Sequence, residues 1–124
     1  MTITEFTKTR DLSISVSDSE GGAVVCLSGR VSVDSSPNLR ERLHAVLKRP
    51  SLPALTIDLA ELAYIDCSGV ATLIEALRIS RSRKTRLQLR GLRDRPRYLL
   101  EVTGLLRLFE TTERTSESSA SKVS

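Results

Sequence analysis

The stretch from Leu55 to Leu77 constrains this chain most, because it reads as a strand, a short polar loop and an amphipathic helix in direct succession. Thr56 to Leu59 is β-branched and aliphatic, as a buried strand is. Val70, Leu73, Ile74 and Leu77 then fall on one face of a 3.6-residue period. Between them stand Asp66, Cys67, Ser68 and Gly69. An aspartate there is a natural N-cap, which puts Cys67 and Ser68 in the first helical turn. That turn carries unpaired N–H groups and the positive end of the helix dipole, so it tolerates a phosphoryl group. The simpler reading is that Asp66 only caps a helix and Gly69 only allows close packing.

The flanking chain repeats the alternation of strand and helix. Leu12, Ile14 and Val16 alternate with Ser13, Ser15 and Ser17, a half-buried strand. Asp18 to Gly22 is a turn cluster, and Ala23 to Leu27 is the returning strand, with Cys26 expected as a small buried apolar residue. Ser35 or Ser36 caps a first helix with Pro37 in its first position, and Leu39, Leu43, Val46 and Leu47 form its stripe. His44 lies beside that stripe as a partly exposed structural residue. Thr85 to Leu89 is a further strand. Asp94 is expected to cap a last helix, with Tyr98, Leu99 and Val102 facing inward and Gly104 stopping it. Residues 1–10 are polar and either fray or add an edge strand. The expected fold class is α/β, a mixed β-sheet with parallel βαβ units and helices mainly on one face, in the order β-β-α-β-α-β-α. One domain over residues 1–110 is expected, followed by a disordered Ser/Thr-rich tail over residues 111–124.

Composition narrows the function. At 124 residues the chain can bury one core, which aliphatic side chains must supply because there is no Trp and only two Phe and two Tyr. No apolar run reaches the length of a bilayer span, and Met1 to Phe6 has no signal-peptide pattern, so a cytoplasmic protein with reduced thiols is expected. One His and no Cys-x-x-Cys exclude a four-ligand metal site, and no glycine-rich phosphate loop or nucleophile elbow occurs, so no cofactor is expected. Asp58, Glu61 and Asp66 cluster in sequence, but Asp58 is read at a strand end and Glu61 in a solvated loop. Cys67 as a nucleophile lacks a positioned base, and Asp66 opposes the dipole's effect on its thiol. The chain is therefore read as a non-enzyme. Net charge is +4, and between Arg78 and Arg97 lie nine basic residues and one acid, Asp94. That stretch is either a set of solvated heads over an aliphatic core or a patch for an acidic protein, anionic lipid or nucleic acid. Stacking aromatics are almost absent from it, which argues against direct nucleic-acid binding.

Asp66-Cys67-Ser68-Gly69-Val70 after an Ile-Asp-Leu strand resembles the signature of STAS domains, and more narrowly that of bacterial anti-sigma factor antagonists. Val24 to Val31 resembles that family's second strand and glycine turn, Ser36-Pro37-Asn38-Leu39 the start of its first helix, and Arg95 to Leu105 its last core helix. The four pieces stand in the family's order over roughly residues 11–110.

The resemblance implies a protein that binds an anti-sigma factor of serine/threonine kinase type and so frees a sigma factor. In that family the kinase phosphorylates the Ser or Thr directly after the signature Asp. This chain has Cys67 there, which cannot accept phosphate as Ser does, and Ser32 where the family often carries an Asp. Three outcomes stay open: Ser68 is the acceptor, binding is constitutive, or Cys67 is a redox handle. The expected contact surface is Ser32, Asp34, Asp66, Cys67, Ser68 and Gly69. The alternative is a STAS subunit of a phospholipid-transporting ABC complex, supporting its ATPase without phosphorylation.

Overall fold

The structure, a computed structural model, describes residues 2–9 and 11–112. Six strands form one mixed sheet in sequence order: β1 Thr2–Lys8, β2 Leu12–Ser19, β3 Gly22–Val31, β4 Ala54–Ile65, β5 Arg86–Arg90 and β6 Glu110–Thr112. β1, β2 and β3 are joined antiparallel, whereas β3, β4, β5 and β6 run parallel. The parallel pairs require crossovers, and helices α1 Ser36–Leu47, α2 Cys67–Ser82 and α3 Asp94–Val102 supply them. The expected order is thus extended by an edge strand at each side. β1 comes from the polar segment that sequence left between fraying and pairing. β6 takes Thr111 and Thr112 into the sheet. Residues 113–124, the remainder of the expected tail, lie outside the described residues.

The register separates two faces. Val16, Val25, Ile57 and Leu89 lie in one row across β2 to β5, and Ala23, Leu55 and Leu87 in another. These side chains join Leu39, Leu43, Val46 and Leu47 of α1 and Val70, Leu73, Ala76 and Leu77 of α2 in one apolar core. Two helical stripes at 3.6-residue spacing thus cover an aliphatic sheet face. Arg40 fastens the two helices, donating from Nε and one terminal nitrogen to Glu75 at 2.8 and 3.1 Å. His44 lies beside them with Nε2 3.3 Å from Glu75. α3 packs on β4 and adds Leu100 to the core.

The opposite rows are polar: Ser15, Cys26, Asp58 and Arg90 are register neighbours. Asp58 is not at a strand end but buried inside β4, where Arg90 donates to it at 2.9 Å and the Ala60 N–H at 3.0 Å. Glu61 is exposed but lies in β4 rather than in a loop, because β4 runs through two register shifts against β3 as far as Ile65. Cys26 faces this polar side and is half-buried rather than buried.

α3 differs most from expectation. Its N-cap is Arg93, which makes no side-chain cap, and Asp94 is the first helical residue with φ 56°. Pro96 and Leu100 are the buried positions, so Tyr98 and Val102 point to solvent at 63% and 58% exposure. The helix is only nine residues long, and a single 3.6-period stripe has two phases that so short a segment does not distinguish.

Leu73 is fully buried in the α2 stripe. Leu73→Ala is expected to lower unfolding free energy by about 2–5 kcal/mol, the range for a Leu removed from a core that cannot collapse. Urea denaturation of both proteins measures it.

Candidate functional site

β3 and β4 are parallel and their last residues pair, Val31 with Ile65. The loops that leave them, Ser32–Ser35 and Asp66, therefore emerge side by side at the carboxyl ends of adjacent parallel strands. That is where open α/β sheets place their recognition loops. The Asp66 N–H donates to the Val31 carbonyl at 3.1 Å and carries the β3–β4 pairing up to the start of α2.

The Asp66 carboxylate organises everything above that point. Asp66 is the N-cap of α2 in extended conformation, φ −110° and ψ −171°. Its Oδ1 accepts the Ser68 N–H at 3.0 Å, the Gly69 N–H at 3.1 Å and the Ser68 hydroxyl at 2.6 Å. The Val33 N–H of the other loop also favours the charged form of this carboxylate. Partial burial opposes the charged form, but the Ser68 hydroxyl and the three backbone N–H groups outweigh it and hold the carboxyl below its ordinary pKa. Asp66 thus caps one helix with its carboxylate and ties that helix start to the end of β3 with its N–H.

The other loop is fastened independently. The Ser32 N–H donates to Ser35 Oγ at 3.0 Å, and Ser35 Oγ donates to the Arg30 carbonyl at 3.0 Å. Ser35 is the N-cap position of α1, but its hydroxyl is spent on this loop and makes no helix cap. Ser32 Oγ accepts the Asp34 N–H at 3.3 Å, the local turn bond an aspartate could also make. Serine thus keeps the turn while leaving out a negative charge next to Asp66.

Gly69 is fixed by packing. A Cβ there would lie 2.5 Å from Ile65 Cγ1 and 2.7 Å from Val31 Cγ1, so only glycine lets α2 start this close to the ends of β3 and β4. Gly29 is required by its backbone, with φ 108° and the Asp11 carbonyl where a side chain would go.

Of the residues expected from sequence, Ser32, Asp34, Asp66, Cys67, Ser68 and Gly69 all meet here. Asp34 and Cys67 are exposed, Ser32, Asp66 and Ser68 half-buried, and Gly69 buried. Val33 was not expected. It lies between Ser32 and Asp34, is 68% exposed, and its N–H favours the charged form of Asp66. The signal available was a lone apolar residue between polar ones in a loop following a strand. Asp58 does not join Asp66. It lies eight residues back along β4, more than about 20 Å at strand rise, which removes the carboxylate pair as acid–base chemistry. Cys26 pairs with Asp58 in register and is equally remote from Cys67, and the two form no disulfide. Among the described residues no group of three or more His, Cys, Asp or Glu side chains is placed to hold a metal. No helix among them is long and apolar enough to cross a membrane.

A basic stack borders the site. The Arg30 guanidinium lies 4.2 Å and that of Arg95 5.0 Å from the ring centre of Tyr64, two residues before Asp66.

Comparison with known proteins agrees with this architecture. A family model described as Mlab, STAS domain, matches residues 14–110. The chain belongs to the STAS domain family. It is 31% identical over 86 residues to the anti-sigma-B factor antagonist of Listeria monocytogenes, covering 69% of this chain and 75% of that one. To the anti-sigma-B factor antagonist of Bacillus subtilis it is 26% identical over 95 residues, 77% of this chain and 85% of that one. Among solved structures, an anti-sigma factor antagonist from Mycobacterium paratuberculosis superposes with a TM-score of 0.72 at 24% identity, covering 92% of this chain and 95% of that one. The anti-sigma factor antagonist SpoIIAA in its unphosphorylated form gives 0.72 at 16% identity, covering 89% and 95%. These two likenesses establish the fold.

Asp66→Ala is expected to cost about 1 kcal/mol of stability, the usual value of an N-cap carboxylate. Because the Asp66 pKa is lowered by folding, its contribution is complete above the ordinary carboxylate range. It disappears as pH falls through the depressed folded value. Thermal unfolding of both proteins from neutral to acid pH should show two curves that converge at the acid end.

Proposed function

We propose that this protein is an anti-sigma factor antagonist, a non-enzymatic regulator that binds an anti-sigma factor through the two loops joined at Asp66. The observation that carries the reading is that Asp66 caps α2 through its carboxylate while its N–H donates to the Val31 carbonyl, so that the two loops start side by side. They present Val33, Asp34 and Cys67 on one rigid, exposed rim. Relatives at 31% and 26% identity that bear the antagonist name support it. A rigid rim loses little entropy on docking, and Val33 gives it an apolar anchor between polar neighbours.

Control of that contact falls to Ser68 rather than Cys67. The Ser68 hydroxyl donates to Asp66 at 2.6 Å, so a phosphoryl group there removes this bond and sets close to two negative charges beside the carboxylate. The cap then loosens and the rim is repelled by an acidic or apolar contact. Ser32, uncharged, adds no further repulsion. The partner in this reading is an anti-sigma factor of serine/threonine kinase type, and the setting is the cytoplasm.

One observation favours a second reading, a STAS subunit of a phospholipid-transporting ABC complex. The exposed residue directly after Asp66 is a cysteine, which takes no phosphate, and the matching family model is the one described as Mlab. In that case the same rim supports an ATPase subunit without modification.

Tagged protein recovered from its own cells identifies the co-purifying chain. An anti-sigma factor is expected. An ABC ATPase would replace the first reading by the second. With the recovered partner, Val33→Asp and Ser68→Asp are each expected to weaken binding by about tenfold or more, the scale of a central contact. Unchanged affinity in both variants would place the interface elsewhere.

A further inference from the structure

The end of the molecule opposite the Asp66 rim is strongly basic, and antagonist function does not use it. α1 and α2 both finish there, beside the β2–β3 turn and the start of β4. The bases are Arg42, Lys48, Arg49, Arg81, Arg83 and Lys84; the acids facing them are Glu5, Asp18 and Glu20. Arg42 and Arg49 share Glu5, and Arg49 also meets Asp18 at 2.9 Å. Arg81 and Lys84 have no ion-pair partner among the described residues. Arg83 gives one terminal nitrogen to the Lys48 carbonyl at 3.2 Å and keeps its remaining donors. Two helix C-termini contribute roughly one negative charge between them. Capping the dipoles therefore accounts for only part of the basic excess, to which the exposed Arg86 at the start of β5 also belongs.

That excess surrounds a cavity of about 490 Å3, lined among others by Arg49, Ser51, Arg83, Lys84 and Thr85. A concave basic site concentrates potential more than a flat patch does. Ser51 and Lys84, from the two segments that line it, hold left-handed backbone at φ 57° and 60°, the conformation with which a chain leaves a helix end. Arg83 offers a planar fork and Lys84 a mobile point charge, the pair of donors that suits phosphate oxygens. Among the described residues the exposed large apolar side chains are Phe6, Val33, Tyr98, Val102 and Leu108, and none of them lines the cavity.

We propose that this cavity binds a soluble, phosphate-bearing polyanion through Arg83 and Lys84. α2 has 16 residues, about 24 Å of helix, between this site and Asp66, so both ends can be occupied together. The proposal does not rest on the antagonist reading.

The test is a titration of the full chain with inorganic tripolyphosphate, followed by amide resonances. Saturable shifts confined to residues 49–53 and 82–86 are expected. Arg83→Glu combined with Lys84→Glu should weaken binding by about tenfold or more while the remaining resonances stay in place, and Lys84→Arg should retain it. Both replaced side chains are exposed, so the fold is preserved. Absent or unsaturable shifts, or shifts centred on the arginines of residues 90–97, would overturn the proposal. An equal response to a hexaglutamate peptide would overturn it in favour of an acidic protein segment. Binding to phosphatidylglycerol vesicles but not to tripolyphosphate would overturn it in favour of a membrane.

Discussion

A single residue, Asp66, ties together two chain segments that sequence separates by more than thirty residues. Its carboxylate takes the Ser68 and Gly69 N–H groups and the Ser68 hydroxyl of α2, its N–H donates to the Val31 carbonyl at the end of β3, and the Val33 N–H of the following loop favours its charge. Each donor would otherwise be an orphan at a helix start or a loop bend. Partial burial makes the carboxylate costly to desolvate, and the donors offset that cost only while all are in place.

The sheet makes this meeting possible. Val31 and Ile65 are paired ends of parallel strands, so both crossovers leave from the same place. Gly69 lets α2 begin directly on those two side chains, and the α1–α2 pair held by Arg40 and Glu75 keeps the helix axis fixed behind it. Core packing, helix capping and loop geometry thus converge on one small exposed surface. The polar reverse face of the sheet, with Asp58 and Arg90 paired across β4 and β5, stays outside it.

Much of this was readable from residues alone. The alternation in Leu12–Val16, the Leu55–Leu59 run, the stripes on α1 and α2, and the Asp66 cap all follow from local periodicity and capping chemistry, and all appear in the structure. The local pattern marks Asp66, Cys67, Ser68 and Gly69, and Ser32 and Asp34 come only from the family resemblance. Other features needed three dimensions. Val33 shows no periodic signal, and its exposure depends on which way the Ser32 turn bends. Tyr98 and Val102 face outward because Pro96 and Leu100 took the core side, a choice that nine residues do not fix by themselves. Asp58 looked terminal because β4 continues through two register shifts that no side-chain alternation announces. β6 pairs with β5 as a three-residue strand, a length that propensity cannot distinguish from a loop.

The claim that the Asp66 rim is the recognition surface is tested most directly by hydrogen–deuterium exchange of the protein alone and bound to the anti-sigma factor recovered with it. Slowed exchange on binding, concentrated over residues 32–34 and 66–69, is the predicted result. Slowed exchange confined to α3 or to the end of α2, with the rim unchanged, would contradict it.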